Sequence, residues 1–315
     1  VTSRKKIIKR LLWTLTFLFV VMNIVAIFHS YKFTHFVDNN TEKTKDPGKL
    51  TTGQKVSTLL FGVNIPRPTN KKTPSNEFET LILNSNKKIE CWSIKGSEPK
   101  GTVILFHGFS GQKSSMFDKA EIFREQGYNT ILVDFMGSGG AEGNQTTIGF
   151  LEAEQVKTCF DYVTEKGEKN IFLFGTSMGA VAIMKAISDF DIKPKGIIIE
   201  CPFGTMYQTV CARFKTMNAP TFPMAGLLVF WGGVQNGFWA FGHNPIEYAK
   251  KVSCPTLLMY GLQDEKVSIT EIDEIFTNLN GRKELKIYKN AEHENYLTKY
   301  KDEWTQDIIQ FITTK

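Results

Sequence analysis

Short apolar runs rich in β-branched residues alternate with helical patterns from about residue 78 to the C-terminus. The runs fall near 78–83, 89–94, 102–106, 129–133, 171–174, 196–199, 256–260 and 284–288, and they read as strands. Helical spacing fits 113–127, 147–166, 178–188, 268–279 and 296–312. Runs such as Thr102-Val103-Ile104-Leu105-Phe106 are apolar on both sides, which suits a strand whose sheet is covered by helices on both faces. The pattern predicts an α/β domain built on a mostly parallel, doubly wound sheet. Between Ile199 and Thr256 the rhythm lapses into a longer stretch crowded with Phe, Trp, Gly and Pro. That stretch, about 202–250, is expected to form an inserted cap. No internal repeat is present.

Ahead of this pattern, Leu11 to Phe28 carries no charge and is interrupted only by Thr14, Thr16 and Asn23. As a helix it is about 27 Å long at about 1.5 Å per residue, and Ile7, Ile8, Tyr31 and Phe33 extend it enough to cross a bilayer. Trp13 and Tyr31 suit the two interfaces. A cleaved secretory signal would end in small residues, yet bulky Phe28 stands where one belongs in Ala26-Ile27-Phe28-His29-Ser30. An uncleaved anchor is therefore expected. Arg4, Lys5, Lys6, Lys9 and Arg10 precede it, so the positive-inside rule keeps the N-terminus cytoplasmic and sends the remainder to the extracytoplasmic side. The expected division is a basic tail over 1–10, a transmembrane anchor over 11–31, a solvated linker over 32–57 containing Pro47-Gly48, and a folded domain over 58–315 that includes the cap.

Charge and cysteine content narrow the function. The formal net charge is +6, but the basic tail carries most of it. A near-neutral body offers no footprint for nucleic acid. Cysteines stand at 91, 159, 201, 211 and 254 with no CxxC and no Cys/His cluster of zinc-site spacing, so no metal is expected. Cys201 and Cys211 alone lie close in sequence, and a disulfide between them needs an oxidising compartment. Neither a dinucleotide loop nor a phosphate loop occurs, so no cofactor is implied.

The chemistry concentrates in four places. Gly175-Thr176-Ser177-Met178-Gly179 joins the run 171–174 to the helical run from Ala180 to Ile187. A serine on so sharp a strand-to-helix turn needs small neighbours, and the helix behind it points its positive end at the hydroxyl; Ser177 is the candidate nucleophile. His107-Gly108-Phe109-Ser110-Gly111 closes the run 102–106. Acyl transfer places negative charge on a carbonyl oxygen, and the backbone N–H groups of Phe109 and Met178 are the candidate oxyanion hole, with His107 and Gly108 supporting the loop. Of the histidines after Ser177, His243 falls in the cap, and only His293 also follows a strand end bearing an acid. His293 is the candidate base. Asp264, in Gly261-Leu262-Gln263-Asp264, is the candidate acid that fixes the His293 tautomer, and Glu200 is its rival.

At these residues the sequence resembles the α/β-hydrolase superfamily, especially its membrane-anchored serine aminopeptidase-like and lysophospholipase-like members. The resemblance runs from about residue 58 to the C-terminus and rests on His107-Gly108, Asp134 to Gly143, the Ser177 turn, Gly261 to Val267 and His293. It implies the α/β-hydrolase fold with a Ser177, Asp264, His293 triad. Relatives often carry Arg in a D-x-R-G pattern after the Asp134 strand end, where this chain has Met136, so any support which that Arg lends the oxyanion loop is missing.

The expected activity is hydrolysis of a small-molecule or lipid ester through an acyl-enzyme on Ser177. A peptidase with the same triad is the first alternative, and a non-catalytic lipid-binding or scaffold protein the second. Cap aromatics such as Phe214, Phe222, Phe230, Trp231, Phe238 and Trp239 suit an acyl pocket, the cap's own core, or a patch against the bilayer.

Overall fold

The apolar runs assemble into one eight-stranded sheet in the computed structural model, which describes residues 2–38, 40–44 and 50–314. Two helices precede it, α1 (Thr2–Thr34) and α2 (Thr52–Phe61). The strands are β1 (Phe78–Asn84), β2 (Lys88–Ile94), β3 (Thr102–Phe106), β4 (Asn129–Asp134), β5 (Ile171–Thr176), β6 (Gly196–Glu200), β7 (Thr256–Gly261) and β8 (Lys283–Tyr288), in the order β1-β2-β4-β3-β5-β6-β7-β8. β1 pairs antiparallel with β2 and β2 with β4; every later pairing is parallel. Helices α3 (Phe117–Glu125), α4 (Glu152–Glu165), α5 (Met178–Phe190), α9 (Ile269–Asn278), α10 (Tyr296–Lys299) and α11 (Lys301–Thr313) flank it, and α6 (Met206–Thr216), α7 (Met224–Asn236) and α8 (Pro245–Ala249) occupy the stretch expected to be the cap.

Period-two alternation divides each central strand between two cores. Ile104 and Phe106 of β3 join the core shared with α4, α5 and the cap, while Val103 and Leu105 face α3 and α11. Helix α5 is buried at every position from Met178 to Ile187, which anchors the turn that precedes it.

Three helices depart from the sequence pattern, each for a local reason. The helix expected over 147–166 begins only at Glu152, because the Glu152 carboxylate accepts from Thr147 N (2.9 Å), Gly149 N (3.0 Å) and the Thr146 hydroxyl (2.6 Å) and holds 146–149 as a loop. The run over 113–127 starts as a 3-10 turn at Lys113–Met116 before α3. The run over 296–312 breaks at Tyr300, whose backbone leaves the helical region and whose hydroxyl accepts from Asn290 N at 3.0 Å.

The segment expected to be linker is partly ordered onto the domain. His35 pairs with Gln145 and Val37 with Pro66 as isolated bridges. Helix α2 crosses the expected boundary at residue 58, started by a capping box in which Thr51 and Gln54 satisfy each other's backbone N–H groups. Pro47 and Gly48 lie outside the described residues. Helix α1 is long and apolar enough over Arg4–Thr34 to cross a membrane. It is also docked: Trp231 Nε1 donates to Asn23 Oδ1 (3.0 Å), and Gln235 of α7 bonds both Ile27 O (2.8 Å) and the Ser30 hydroxyl (3.0 Å).

Candidate active site

The C-terminal ends of parallel strands leave their loops free to converge, and here they open onto a cavity of about 930 Å³ lined by Phe109, Ser177, Cys201 and His293, among others. Ser177 stands between β5 and α5 with φ 51° and ψ −110°, a strained conformation that turns its side chain out of the sheet. The turn tolerates only glycine beside it. A Cβ on Gly175 would lie 2.6 Å from Ala180 N, and one on Gly179 would collide with Phe106 O. Ser177 N donates to Glu200 O at 2.8 Å, tying the turn to β6.

His293 Nδ1 lies 2.6 Å from Asp264 Oδ2. The other Asp264 oxygen accepts from Lys266 N (2.7 Å) and Val267 N (3.0 Å), so the carboxylate is fixed before it meets the ring. Glu200 is turned elsewhere: fully buried, it accepts from Trp304 Nε1 (2.7 Å) and the Thr176 hydroxyl (3.0 Å). His243 is held between Ile148 O (3.0 Å) and the Tyr248 hydroxyl (3.1 Å), and burial pushes its pKa down to about 4. Among the described residues the Ser177 hydroxyl makes no hydrogen bond to His293, although both groups line the same cavity. Such contacts are often long in free enzymes and tighten only with substrate bound.

The candidate oxyanion loop is braced from below. His107 is buried and neutral, its pKa lowered by desolvation. Its Nε2 accepts from Phe135 N (3.2 Å), which leaves Nδ1 to donate to Gly108 O (2.8 Å). Lys113 is the cation nearest Asp134. Fully buried, its ammonium meets Asp134 and Glu90 Oε1 (2.6 Å) and lies 4.2 Å from the centre of the Trp92 ring, while its backbone N–H donates to Asp134 Oδ1 (2.7 Å). Burial alone would raise the Asp134 carboxyl; the charge and hydrogen bonds of Lys113, together with His107, outweigh it and lower the pKa. Arg67 then clasps the turn after Asp134 through Gly139 O (2.8 Å), Ala141 O (2.6 Å) and Gly143 O (3.1 Å). Sequence reasoning missed both cations, since Lys113 reads as the polar start of a helix and Arg67 sits in no motif.

Cys201 was missed as a site residue as well. It follows β6 with φ 39°, buried, and its Sγ, an Asp264 oxygen and a His293 nitrogen lie within 4.8 Å of one another. The sequence shows no Cys/His cluster, yet the fold builds one from three loops at the sheet edge. The pairing of Cys201 with Cys211 is not formed; both are free thiols. Burial opposes a charge on His293, but its interactions with Cys201 and Asp264 outweigh burial and raise the pKa to about 10.

Comparison with known proteins gives a consistent picture. A family model described as serine aminopeptidase, S33, matches residues 97–232. The uncharacterised protein YqkD of Bacillus subtilis is 22% identical over 228 residues, 71% of this chain and 75% of its own length. A Saccharomyces cerevisiae protein described as an uncharacterised membrane protein is 25% identical over 141 residues, 44% of this chain and 50% of its own. Among solved structures, the Pyrococcus furiosus esterase Pf2001 superposes with a TM-score of 0.66 at 22% identity, covering 79% of this chain and 98% of that one. Est1E of Butyrivibrio proteoclasticus, solved with ferulic acid, superposes with a TM-score of 0.58 at 17% identity, covering 74% and 100%.

Proposed function

We propose that this chain, which has the α/β-hydrolase fold, is a membrane-anchored serine carboxylester hydrolase. The observation that carries the reading is Ser177 on its strained turn, opening into the same cavity as a His293 ring that is bonded to Asp264 at 2.6 Å. His293 would take the Ser177 proton as Oγ bonds the ester carbonyl carbon, and the resulting oxyanion would sit against the N–H groups of Phe109 and Met178. As the bond to the alcohol breaks, His293 returns that proton to the leaving oxygen. A water deprotonated by His293 then attacks the acyl carbon, the bond to Ser177 Oγ breaks as His293 returns the proton to that oxygen, and the free acid leaves. Helix α1 is read as the anchor, with the basic tail cytoplasmic and the catalytic domain outside.

The raised His293 pKa has a kinetic sign. A base must be unprotonated to act, so kcat/KM is expected to climb with pH through the alkaline range. Cys201→Ala removes one of the neighbours that favour the charged ring, and the acid limb of the profile should move to lower pH. A limb that stays in place would dissociate Cys201 from the base.

The description of the matching family favours a second reading, a peptidase. A peptidase of the aminopeptidase type needs a carboxylate to hold the substrate amine. Among the described residues lining the cavity, Glu294 is the one Asp or Glu, and Lys299 Nζ already lies 3.1 Å from it. Amides also demand better protonation of the leaving group than esters. Matched acyl esters are therefore expected to exceed aminoacyl anilides in kcat/KM by on the order of a hundredfold. Faster anilide cleavage would promote the peptidase.

A further inference from the structure

Helix α1 does more than hold the domain to a bilayer. Val21, Met22, Val25 and Phe33 lie on one side of it and line the same cavity as Ser177 and His293, facing Leu228 and Val229 of α7. Phe33 stacks on Phe109 of the oxyanion loop with ring centroids 4.9 Å apart. The cavity thus runs without a break from the nucleophile to a wall made by the membrane helix.

Depth follows from helix geometry. At about 1.5 Å per residue, Asn23 lies about 20 Å beyond Arg10 and Ser30 about 30 Å beyond it, the thickness of the hydrocarbon layer. Trp231, bonded to Asn23, is then about 10 Å below the surface on the domain's side. The flanking cap is suited to that depth: no charged residue occurs from Thr216 to Gly242, and Phe222 (84% exposed), Phe230 and Val234 point outward. A soluble cap would not carry such a surface beside a membrane helix.

We propose that the cap is seated in the leaflet adjoining the catalytic domain, and that the α1–α7 wall binds the long acyl chain of a lipid ester drawn from that leaflet. This rests on the serine ester hydrolase reading and adds the substrate class and its route of entry. The carbonyl would lie at Ser177 and the chain along α7 toward Val25 and Met22.

The test uses the full chain in phosphatidylcholine vesicles with p-nitrophenyl palmitate and p-nitrophenyl butyrate. Val25→Trp and Met22→Trp narrow the distal wall and should each lower the palmitate-to-butyrate ratio of kcat/KM at least tenfold. Ile24→Trp changes the same helix outside the cavity lining and should leave the ratio unchanged. A second readout needs no turnover: in the Ser177→Ala chain, a diazirine-bearing palmitoyl ester should crosslink within Val21–Phe33 and Met224–Gly232, and Val25→Trp should abolish that labelling. A ratio indifferent to Val25 and Met22, or crosslinks confined to residues outside the cavity, would overturn the acyl-chain assignment. If both esters resist the parent chain while crosslinking persists, the hydrolase reading fails and the lipid site stands.

Discussion

Ser177→Ala is expected to abolish labelling by a fluorophosphonate and to lower kcat on a short acyl ester by about 10⁶. The reason lies in the chemistry of the probe: phosphonylation needs an activated oxygen, and an ordinary surface hydroxyl reacts too slowly to register. Alanine should fit the position without disturbing the fold, because the turn is held by backbone contacts. Ser177 N donates to Glu200 O, and the close approach of Gly179 to Phe106 O does not involve the serine side chain. The measurement is gel-based labelling of parent and variant together with their thermal unfolding. Undiminished labelling of a folded Ser177→Ala chain would place the nucleophile elsewhere, and Cys201, buried beside His293, is the group to test next.

Strands were the most legible feature because each is a short, two-sided apolar run. Thr102 to Phe106 and Gly196 to Glu200 are buried at every position, and no other element of a soluble domain demands that composition over so few residues. The turn carrying Ser177 was legible for a different reason: steric exclusion leaves a glycine at both flanks, and exclusion writes itself into sequence. What escaped was every contact that closes through space. Trp231 and Asn23 are 208 residues apart, and nothing in either neighbourhood announces the bond that converts an apparent tether into part of the cavity wall. Lys113 reads as the polar start of a helix, and only the fold reveals it buried between two carboxylates. Helix starts failed where a side chain competes with the helix for backbone N–H groups, as the Glu152 carboxylate does at Thr147 and Gly149.

The strand end at Asp134 shows how far such contacts reach through the fold. Position 136 is a buried Met, and the cations that hold Asp134 and the turn after it are Lys113 and Arg67. Asp134 is the shared partner: Lys113, Asn70 Nδ2 (2.7 Å) and Gly140 N (2.9 Å) all converge on its carboxylate. A buried carboxylate left without its cation typically costs about 3–5 kcal/mol, which makes this network a condition for the loop rather than an ornament.

Asp264→Asn is expected to lower kcat by about 10⁴, with little change in thermal stability, whereas Glu200→Gln should lower kcat less than about tenfold. In the parent, Asp264 Oδ1 accepts from Lys266 N and Val267 N while Oδ2 receives the His293 Nδ1 proton. An asparagine keeps its carbonyl oxygen toward those two N–H groups, since turning it would bury two unpaired donors. Its amide then presents hydrogens to His293 Nδ1. The ring must accept there and carry its proton on the other nitrogen, the one that has to receive the Ser177 proton, so the base is blocked by tautomer while the fold stands. Glu200 has no such link to the ring. Its oxygens serve Trp304 Nε1 and the Thr176 hydroxyl, with Lys119 Nζ at 3.6 Å, so glutamine weakens buried contacts between β6, α11 and β5 and should cost about 1–3 kcal/mol of stability. Steady-state kcat and thermal unfolding of the two variants, measured on the same ester, separate the effects. A larger loss of kcat in Glu200→Gln than in Asp264→Asn would move the acid to β6.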